Sequence, residues 1–526
     1  MTLKASQTFT VSINDGLNII EVRAGHGERL LDVLRLSGKP VHSPCGGKGT
    51  CKKCAVFVQG QGSILACQFY IDSDLYVTLP EARQFTILHK EFIGSRQFVK
   101  DSGIMVEQSA DKGEVRYNGQ TLFTAPLVSQ NKYGVALDVG TTTVVLFLQD
   151  LNSYQVLDVA SFVNPQTAYG SDVISRITHC IEKQDGLATL QRIFVARLND
   201  AINDLCQKNN ILKEQIYKSA VVGNTVMLHI LCGVNPRTIT FAPYTPVFVD
   251  EKIKRAQELG LETHPDGIVK ILPSIAGYVG ADIVAGVAST DILVQKSYSL
   301  YIDVGTNGEI VLGNKDHIYC CATAAGPAFE GATIECGVGG IEGAISEFED
   351  DDFATIGDKP AIGICGSGLI DIVAALLDNG LIDATGYMEN DFKLVPQQHT
   401  QFGRDIVLTP QDVRQVQLAK AAIYAGIKTL LHVAHITLDQ VKRLYMAGGF
   451  GNYVRPSSAV RIGLIPRELK DRIIPVGNSA GTGARLALES VTFEKEIHEM
   501  RQRTEYIELS MREDFNEHYV AAMTFE

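Results

Sequence analysis

Apolar and polar residues alternate twice near the N-terminus, in FTVSIN (9–14) and NIIEVRAG (18–25), around the turn residues Asn14, Asp15 and Gly16. A period of two puts every second side chain on one face, so the pair predicts two half-buried strands joined as a hairpin. In ERLLDVLRLSG (28–38) the leucines recur at helical spacing instead, and Gly38 marks the stop. KCAVFVQG (53–60) and LYVTLP (75–80) predict further strands. From about Glu81 to Lys132 the chain turns polar and irregular, which predicts a linker over 83–132 with some strand content and freedom to swing. Strong apolar strands return in YGVALDVGTTTVVLFLQD from Tyr133 and in LYIDVGTNGEIVLGN from Leu300. QDVRQVQLAKAAIYAGIKTLL (411–431) predicts a helix with Val416, Ile423, Ile427 and Leu430 on one packed face.

Composition narrows the class. A chain of 526 residues predicts two to four domains, and 45% hydrophobic with 20% charged residues is ordinary for a soluble globular protein. The formal charge of −13 argues against nucleic acid, whose phosphates select a basic face. No apolar run approaches the roughly 20 residues of a membrane helix, and MTLKASQTFTVSIND has no apolar signal core. The expectation is a cytoplasmic protein, away from any membrane, whose eleven cysteines are not disulfides.

Four of those cysteines form a pattern. Cys45, Cys51, Cys54 and Cys67 read C-x5-C-x2-C-x12-C, with Gly46, Gly47 and Gly49 inside the loop. A zinc ribbon usually offers two C-x2-C knuckles, and only one is present. The spacing lies close to the C-x4-C-x2-C…C of plant-type [2Fe–2S] centres, where glycines let the backbone curl around the cluster. With the strand–strand–helix–loop–strand order, residues 1–82 resemble the β-grasp of plant-type ferredoxins. Lys48, Lys52 and Lys53 stand beside the loop and are candidates for steering an acidic electron donor. The other cysteines, Cys320-Cys321 at a predicted strand end included, read as buried small hydrophobes.

The two later strand pairs share strand, Asp-Val-Gly-Thr, strand. Such a turn aims backbone N–H groups and hydroxyls at a phosphate, and its aspartate can hold Mg²⁺ through water. The residues concerned are Asp138, Gly140, Thr141, Thr142 and Thr143 in one copy, and Asp303, Gly305, Thr306, Asn307, Gly308 and Glu309 in the other. Gly448, Gly449 and Phe450 follow an apolar strand and suit an adenosine, while Gly366, Ser367 and Gly368 open an apolar helix and suit an anion or ribose. Asp282, among the glycines of LPSIAGYVGADIVAG, either orients the attacking water or Mg²⁺, or caps a helix. EFEDDD (347–352) predicts a solvated acidic loop. No P-loop and no Rossmann fingerprint occurs. Together these segments resemble the duplicated ATPase of sugar kinases, actin and chaperone ATPases, whose two RNase-H-like lobes span 133–295 and 296–526 here. The fold class expected is α/β multidomain, a β-grasp domain ahead of an actin-like ATPase.

The combination resembles the reductive activators of corrinoid-dependent methyltransferases. The resemblance rests on LDVGTTTV (137–144), NPQTAYGSDVISRI (164–177), AVVGNTVMLHIL (220–231), YIDVGTNGEI (301–310), TAAGPAFEG (323–331) and QVQLAKAAI (415–423). C-terminal cysteine clusters of the [4Fe–4S] branch are missing, which points to the [2Fe–2S] branch. The resemblance implies transfer of one electron from a [2Fe–2S] cluster to an inactive Co(II) corrinoid, with ATP and Mg²⁺ driving it. It also implies a corrinoid protein as partner, a donor such as a ferredoxin or flavodoxin, and a fold that permits a homodimer. No D-x-H-x-x-G signature occurs, so the corrinoid is expected on the partner. Two alternatives stay open: an ATP-dependent donor to another enzyme such as a dehydratase, and a non-enzymatic redox sensor.

Overall fold

The alternating N-terminal stretches pair as their period requires. The computed structural model describes residues 7–16, 18–39, 41, 43, 47, 49, 53–79, 96–400, 403–448 and 453–525. Strands β1 (Thr8–Asn14) and β2 (Ile19–Gly25) form an antiparallel hairpin, and α1 (Leu30–Leu36) buries Leu30, Leu31, Val33 and Leu34 beneath it. β3 (Ala55–Val58), β4 (Gly62–Leu65) and β5 (Leu75–Thr78) complete a sheet of order β2-β1-β5-β3-β4, with β5 parallel to β1. That is the β-grasp arrangement, with its own apolar core.

The expected linker is in part a folded unit. β6 (Ile104–Gln108), β7 (Gly113–Tyr117) and β8 (Gln120–Ala125) form an antiparallel meander. Ile104, Val115 and Tyr117 join the core of the first ATPase lobe, and Asp101 exchanges backbone hydrogen bonds with Glu489 and Val491. The segment reads as polar because its other face is solvent, with Met105, Glu107 and Gln108 exposed. From Asp101 onward it is therefore part of lobe I and not a tether. Residues 83–95 lie outside the described residues.

Both large lobes repeat one topology. In lobe I, β9 (Tyr133–Val139), β10 (Thr143–Asp150) and β11 (Val156–Val163) are antiparallel neighbours. After α2 (Val173–Glu182) and α3 (Gly186–Lys208), β12 (Ile216–Gly223) lies parallel to β9. Following α4 (Thr225–Leu231), β13 (Lys252–Arg255) and β14 (Ile268–Ile271) extend the order to β11-β10-β9-β12-β14-β13. The lobe ends in α5 (Ala281–Ala288). Lobe II opens with the antiparallel β15 (Tyr298–Val304), β16 (Gly308–Gly313) and β17 (Ile318–Thr323). β18 (Ala344–Glu349), β19 (Asp352–Thr355) and β20 (Gly363–Ile364) make a side sheet. α6 (Gly366–Asp378) packs on it, a ribbon of β21 (Phe392–Val395) and β22 (Ile406–Leu408) follows, and then comes α7 (Pro410–Val433). β23 (Val441–Ala447), β24 (Ile473–Gly477) and β25 (Thr504–Tyr506) give the order β24-β23-β15-β16-β17-β25. β11-β10-β9-β12-β14 of lobe I corresponds strand for strand to β17-β16-β15-β23-β24 of lobe II, with β13 and β25 as added edge strands, so the weak sequence repeat is a structural duplication.

α8 (Ser479–Glu489) returns from lobe II to pack on β9 and β12 of lobe I and to cross α5. The crossing depends on small residues: a Cβ on Gly483 would lie 2.3 Å from Ala285 O, and one on Gly286 2.3 Å from the Tyr301 hydroxyl. The face predicted for α7 is buried, with Val416, Ile423, Ile427 and Leu430 at 0% exposure, and its start is a Thr409–Asp412 capping box.

One smaller expectation changes. EFEDDD is a hairpin and not a free acidic loop: β18 turns into β19 through Asp350 and Asp351, both at positive φ, while Arg455 pairs with Glu349 and Asp371. Cys320 and Cys321 sit inside β17, fully buried as expected of small hydrophobes, and burial pushes both thiols far up. Among the described residues no helix is long and apolar enough to cross a membrane.

Candidate functional site

The two Asp-Val-Gly-Thr turns face each other between the lobes. Asp138 ends β9 opposite Val222 of β12, and Asp303 ends β15 opposite Ala447 of β23, which are equivalent register positions. Each turn closes on its glycine: Gly140 N–H donates to Thr143 O at 3.0 Å, and Gly305 N–H to Asn307 O at 2.9 Å. A side chain at position 140 is excluded, because its Cβ would stand 2.6 Å from Thr143 O.

One carboxylate spans both turns. Glu330 accepts from Thr142 Oγ1 at 3.4 Å on one oxygen and from Thr306 Oγ1 on the other. Beneath the first turn lies Arg176, which is wholly buried and donates to Thr141 O, to Gly170 O at 3.0 Å and to Gln166 Oε1 at 3.2 Å. Burial lowers its pKa to about 9, opposed by the charges of Asp172 and Glu330, which leaves the guanidinium cationic at neutral pH. Asn164 Nδ2 donates to Gly140 O at 3.0 Å and fixes the same turn from its other side.

Asp282 joins this cluster from the first turn of α5. Its Oδ1 accepts from Ile283 N–H at 2.9 Å, and Gly280 is required before it, since a Cβ there would lie 2.4 Å from Gly223 O. Asn478, which caps α8, hydrogen-bonds Asp138, and Tyr301 shares a 2.8 Å hydrogen bond with Ser479. Withdrawal from water pushes Asp138 up to about 7, helped by the charge of Asp282. The same cause takes Asp303 to about 7, with Asp282, Asp138 and Glu330 adding, and Asp282 to about 6. Glu309 and Glu330 are raised as well, chiefly by burial. Five acids drawn together in this way favour a cation and disfavour one another's charge. Among the described residues no three acidic, His or Cys groups converge on one metal position.

The raised carboxyl pKa values give a prediction. Near pH 6.5 part of the cluster is protonated, and a divalent cation with ATP favours the ionised forms, so binding releases protons. Above pH 8 Asp138, Asp303 and Asp282 are largely ionised already and their share of the release fades. Calorimetric titrations in two buffers of different ionisation enthalpy measure this directly. Equal proton counts at both pH values would show that the cluster does not meet the cation.

Of the remaining predicted residues, Gly448 has φ +83, and a Cβ would lie 2.7 Å from Asp303 Oδ1, so it closes onto the carboxylate cluster. Gly449 and Phe450 lie outside the described residues. Gly366, Ser367 and Gly368 are buried against β18: Ser367 Oγ donates to Ser346 O at 2.8 Å, and a Cβ on Gly368 would meet Ile345 O at 2.3 Å. That hydroxyl is engaged in helix–strand packing and not turned to an anion. Glu330, Arg176 and Asn478 were not singled out from the sequence. The first two stand in TAAGPAFEG and NPQTAYGSDVISRI, and Glu330 is the lone charge among the small and apolar residues of its segment.

In the β-grasp domain, Cys54 precedes β3 and Cys67 follows β4, both buried, and Ala66 N–H donates to Cys54 O at 3.0 Å, so the two stand at one end of the hairpin. Gly47 and Gly49 take φ +86 and +81. A Cβ on Gly49 would lie 2.4 Å from Gln68 Nε2, and one on Gly47 3.0 Å from Leu31 Cδ2, so Gly49 lies close to the hairpin and Gly47 close to α1. These features fit a group enclosed by the loop and the hairpin. Cys45, Cys51, Lys48 and Lys52 lie outside the described residues. Lys53 does not face a donor: its ammonium donates to carbonyls of lobe II, at 2.8 Å to Gly331 and 2.6 Å to Gly337.

Comparisons with known proteins agree with this architecture. A family model described as the RACo middle region matches residues 133–295, and one described as the C-terminal domain of RACo, the ASKHA domain, matches residues 297–526. The corrinoid activation enzyme RamQ of Eubacterium limosum is 30% identical, covering 96% of this chain and 97% of that protein. The [Co(II) methylated amine-specific corrinoid protein] reductase of Methanosarcina barkeri is 28% identical over 75% of this chain and 77% of its own. A solved reductive activator for corrinoid, iron–sulfur protein superposes with a TM-score of 0.75 at 32% identity, covering 98% of both chains. With its β-grasp domain and paired lobes, the chain belongs to the RACo family of reductive activators of corrinoid proteins.

Proposed function

We propose that the protein uses ATP to pass one electron to the Co(II) of a corrinoid held by a partner of a methyltransferase system, restoring Co(I). The observation that carries this reading is a cysteine-bearing β-grasp domain seated on an ATPase whose two phosphate turns share Glu330. A [2Fe–2S] cluster on Cys45, Cys51, Cys54 and Cys67 would supply the single electron. The turns closed by Gly140 and Gly305 present the N–H groups of Thr141 to Thr143 and of Thr306 and Asn307 to the ATP phosphates. Asp138, Asp303 and Asp282 hold Mg²⁺ through its water shell. Arg176 places a positive charge behind the first turn, and Glu330 orients the attacking water and accepts its proton. The donor is a one-electron carrier such as a ferredoxin or flavodoxin, and the setting is the cytoplasm.

Energy explains the pairing of the two functions. Each 100 mV of uphill potential costs about 2.3 kcal/mol for one electron. ATP offsets such a deficit only by favouring a state in which cobalt or donor has a shifted potential. The test mixes the anaerobic, reduced protein with Co(II) corrinoid proteins and follows the visible spectrum of Co(I), with and without ATP and Mg²⁺. ATP-dependent Co(I) supports the reading. ATP turnover coupled to some other acceptor, with no Co(I), overturns it in favour of a general low-potential donor.

A further inference from the structure

A single loop touches both the nucleotide cleft and the cysteine domain. At its start Glu330 accepts from Thr142 and Thr306. One residue on, Gly331 O receives Lys53 Nζ at 2.8 Å, and Gly337 O and Ile334 O receive it at 2.6 and 3.4 Å. Three carbonyls converging on one ammonium require the chain to fold back sharply. A Cβ on Gly337 would lie 2.3 Å from Gly331 O, and one on Gly331 2.6 Å from Val338 N. Lys53 immediately precedes Cys54 in the chain.

A second contact reaches the opposite lobe. Arg35 of α1, held by Ser43 at 2.9 Å and Asp32 at 3.4 Å, sets its guanidinium 5.8 Å from the centre of the Tyr169 ring. Tyr169 adjoins Gly170, whose carbonyl accepts from Arg176, and Arg176 also holds Thr141 O in the first phosphate turn. The cysteine domain thus meets each lobe within one or two residues of the groups that fix a phosphate turn.

We propose that the cysteine domain is a positioning element of the ATPase, with Lys53 as its positioning residue and Arg35 as the second support. Seated Lys53 holds the 331–337 loop and keeps Glu330 between Thr142 and Thr306. When the domain lifts, the loop loses three hydrogen bonds and Glu330 its fixed place. ATP turnover is therefore tied to the seating of the electron-carrying domain. The inference rests on reading the inter-lobe cleft as an ATP site.

The test uses the full chain without corrinoid and compares Lys53→Met and Lys53→Arg with the wild type. In K53M the kcat for ATP hydrolysis falls about tenfold with KM unchanged, because the loop and not the phosphate turns is released. Amide exchange rises in residues 331–338 and stays as in the wild type elsewhere in lobe II, and K53R recovers part of both effects. Unchanged kcat and exchange in K53M overturn the proposal. So does faster exchange across the whole chain, which makes Lys53 a general stability residue. If the wild type hydrolyses no ATP, the ATP-site reading fails, and exchange at 331–338 alone decides whether Lys53 seats the loop.

Discussion

Replacing Glu330 by glutamine is expected to lower ATP turnover by about 10²- to 10⁴-fold while ATP still binds. The size follows from position. Glu330 is the carboxylate that accepts from Thr142 on one lobe and Thr306 on the other, so it marks the midline where the terminal phosphate and its attacking water must meet. Burial raises its pKa while the two threonine hydroxyls and Arg176 oppose the rise. Glutamine keeps the shape and one acceptor but cannot take a proton. Binding persists because Asp138, Asp303 and both glycine turns are untouched. Phosphate release under single-turnover conditions measures the step, and a rate within about threefold of wild type would remove Glu330 from the chemistry.

What was legible in the sequence is what local chemistry encodes. Alternation in FTVSIN and NIIEVRAG is a property of a few neighbouring residues, and it specifies a hairpin wherever one face finds a core. The Asp-Val-Gly-Thr turns were readable because each carries its own geometry and occurs twice. Glu330 was not, since its role exists only once residues 142, 306 and 330 meet across two lobes. Lys53 was misread for the same reason: a lysine beside a cysteine looks exposed until the loop at 331–337 is placed over it. The meander at 104–125 was taken into a linker because its buried face is short and its outer face polar. A glycine–serine–glycine at a helix start suits an anion and suits tight packing equally, and Ser346 O shows the packing use of Ser367 that the sequence alone could not.

Replacing Cys54 by serine is expected to abolish ATP-dependent Co(I) formation altogether. Cys54 is fully buried where β3 and β4 meet, one hydrogen bond from Ala66 and next to the loop that carries the two remaining cysteines of the pattern. A serine oxygen in that pocket is a poor substitute for a thiolate toward iron, so the protein should lose its iron and sulfide together with its visible absorbance. Nucleotide binding should survive, because Asp138, Asp303 and Asp282 are held by the lobes and not by the β-grasp domain. The comparison therefore separates two failures that activity alone confuses. Loss of the iron signal with intact ATP binding and no Co(I) places the electron on the N-terminal domain. Persisting Co(I) in an iron-free C54S protein would mean that the electron reaches cobalt by another route, leaving the β-grasp domain its structural seat on the ATPase and no redox role.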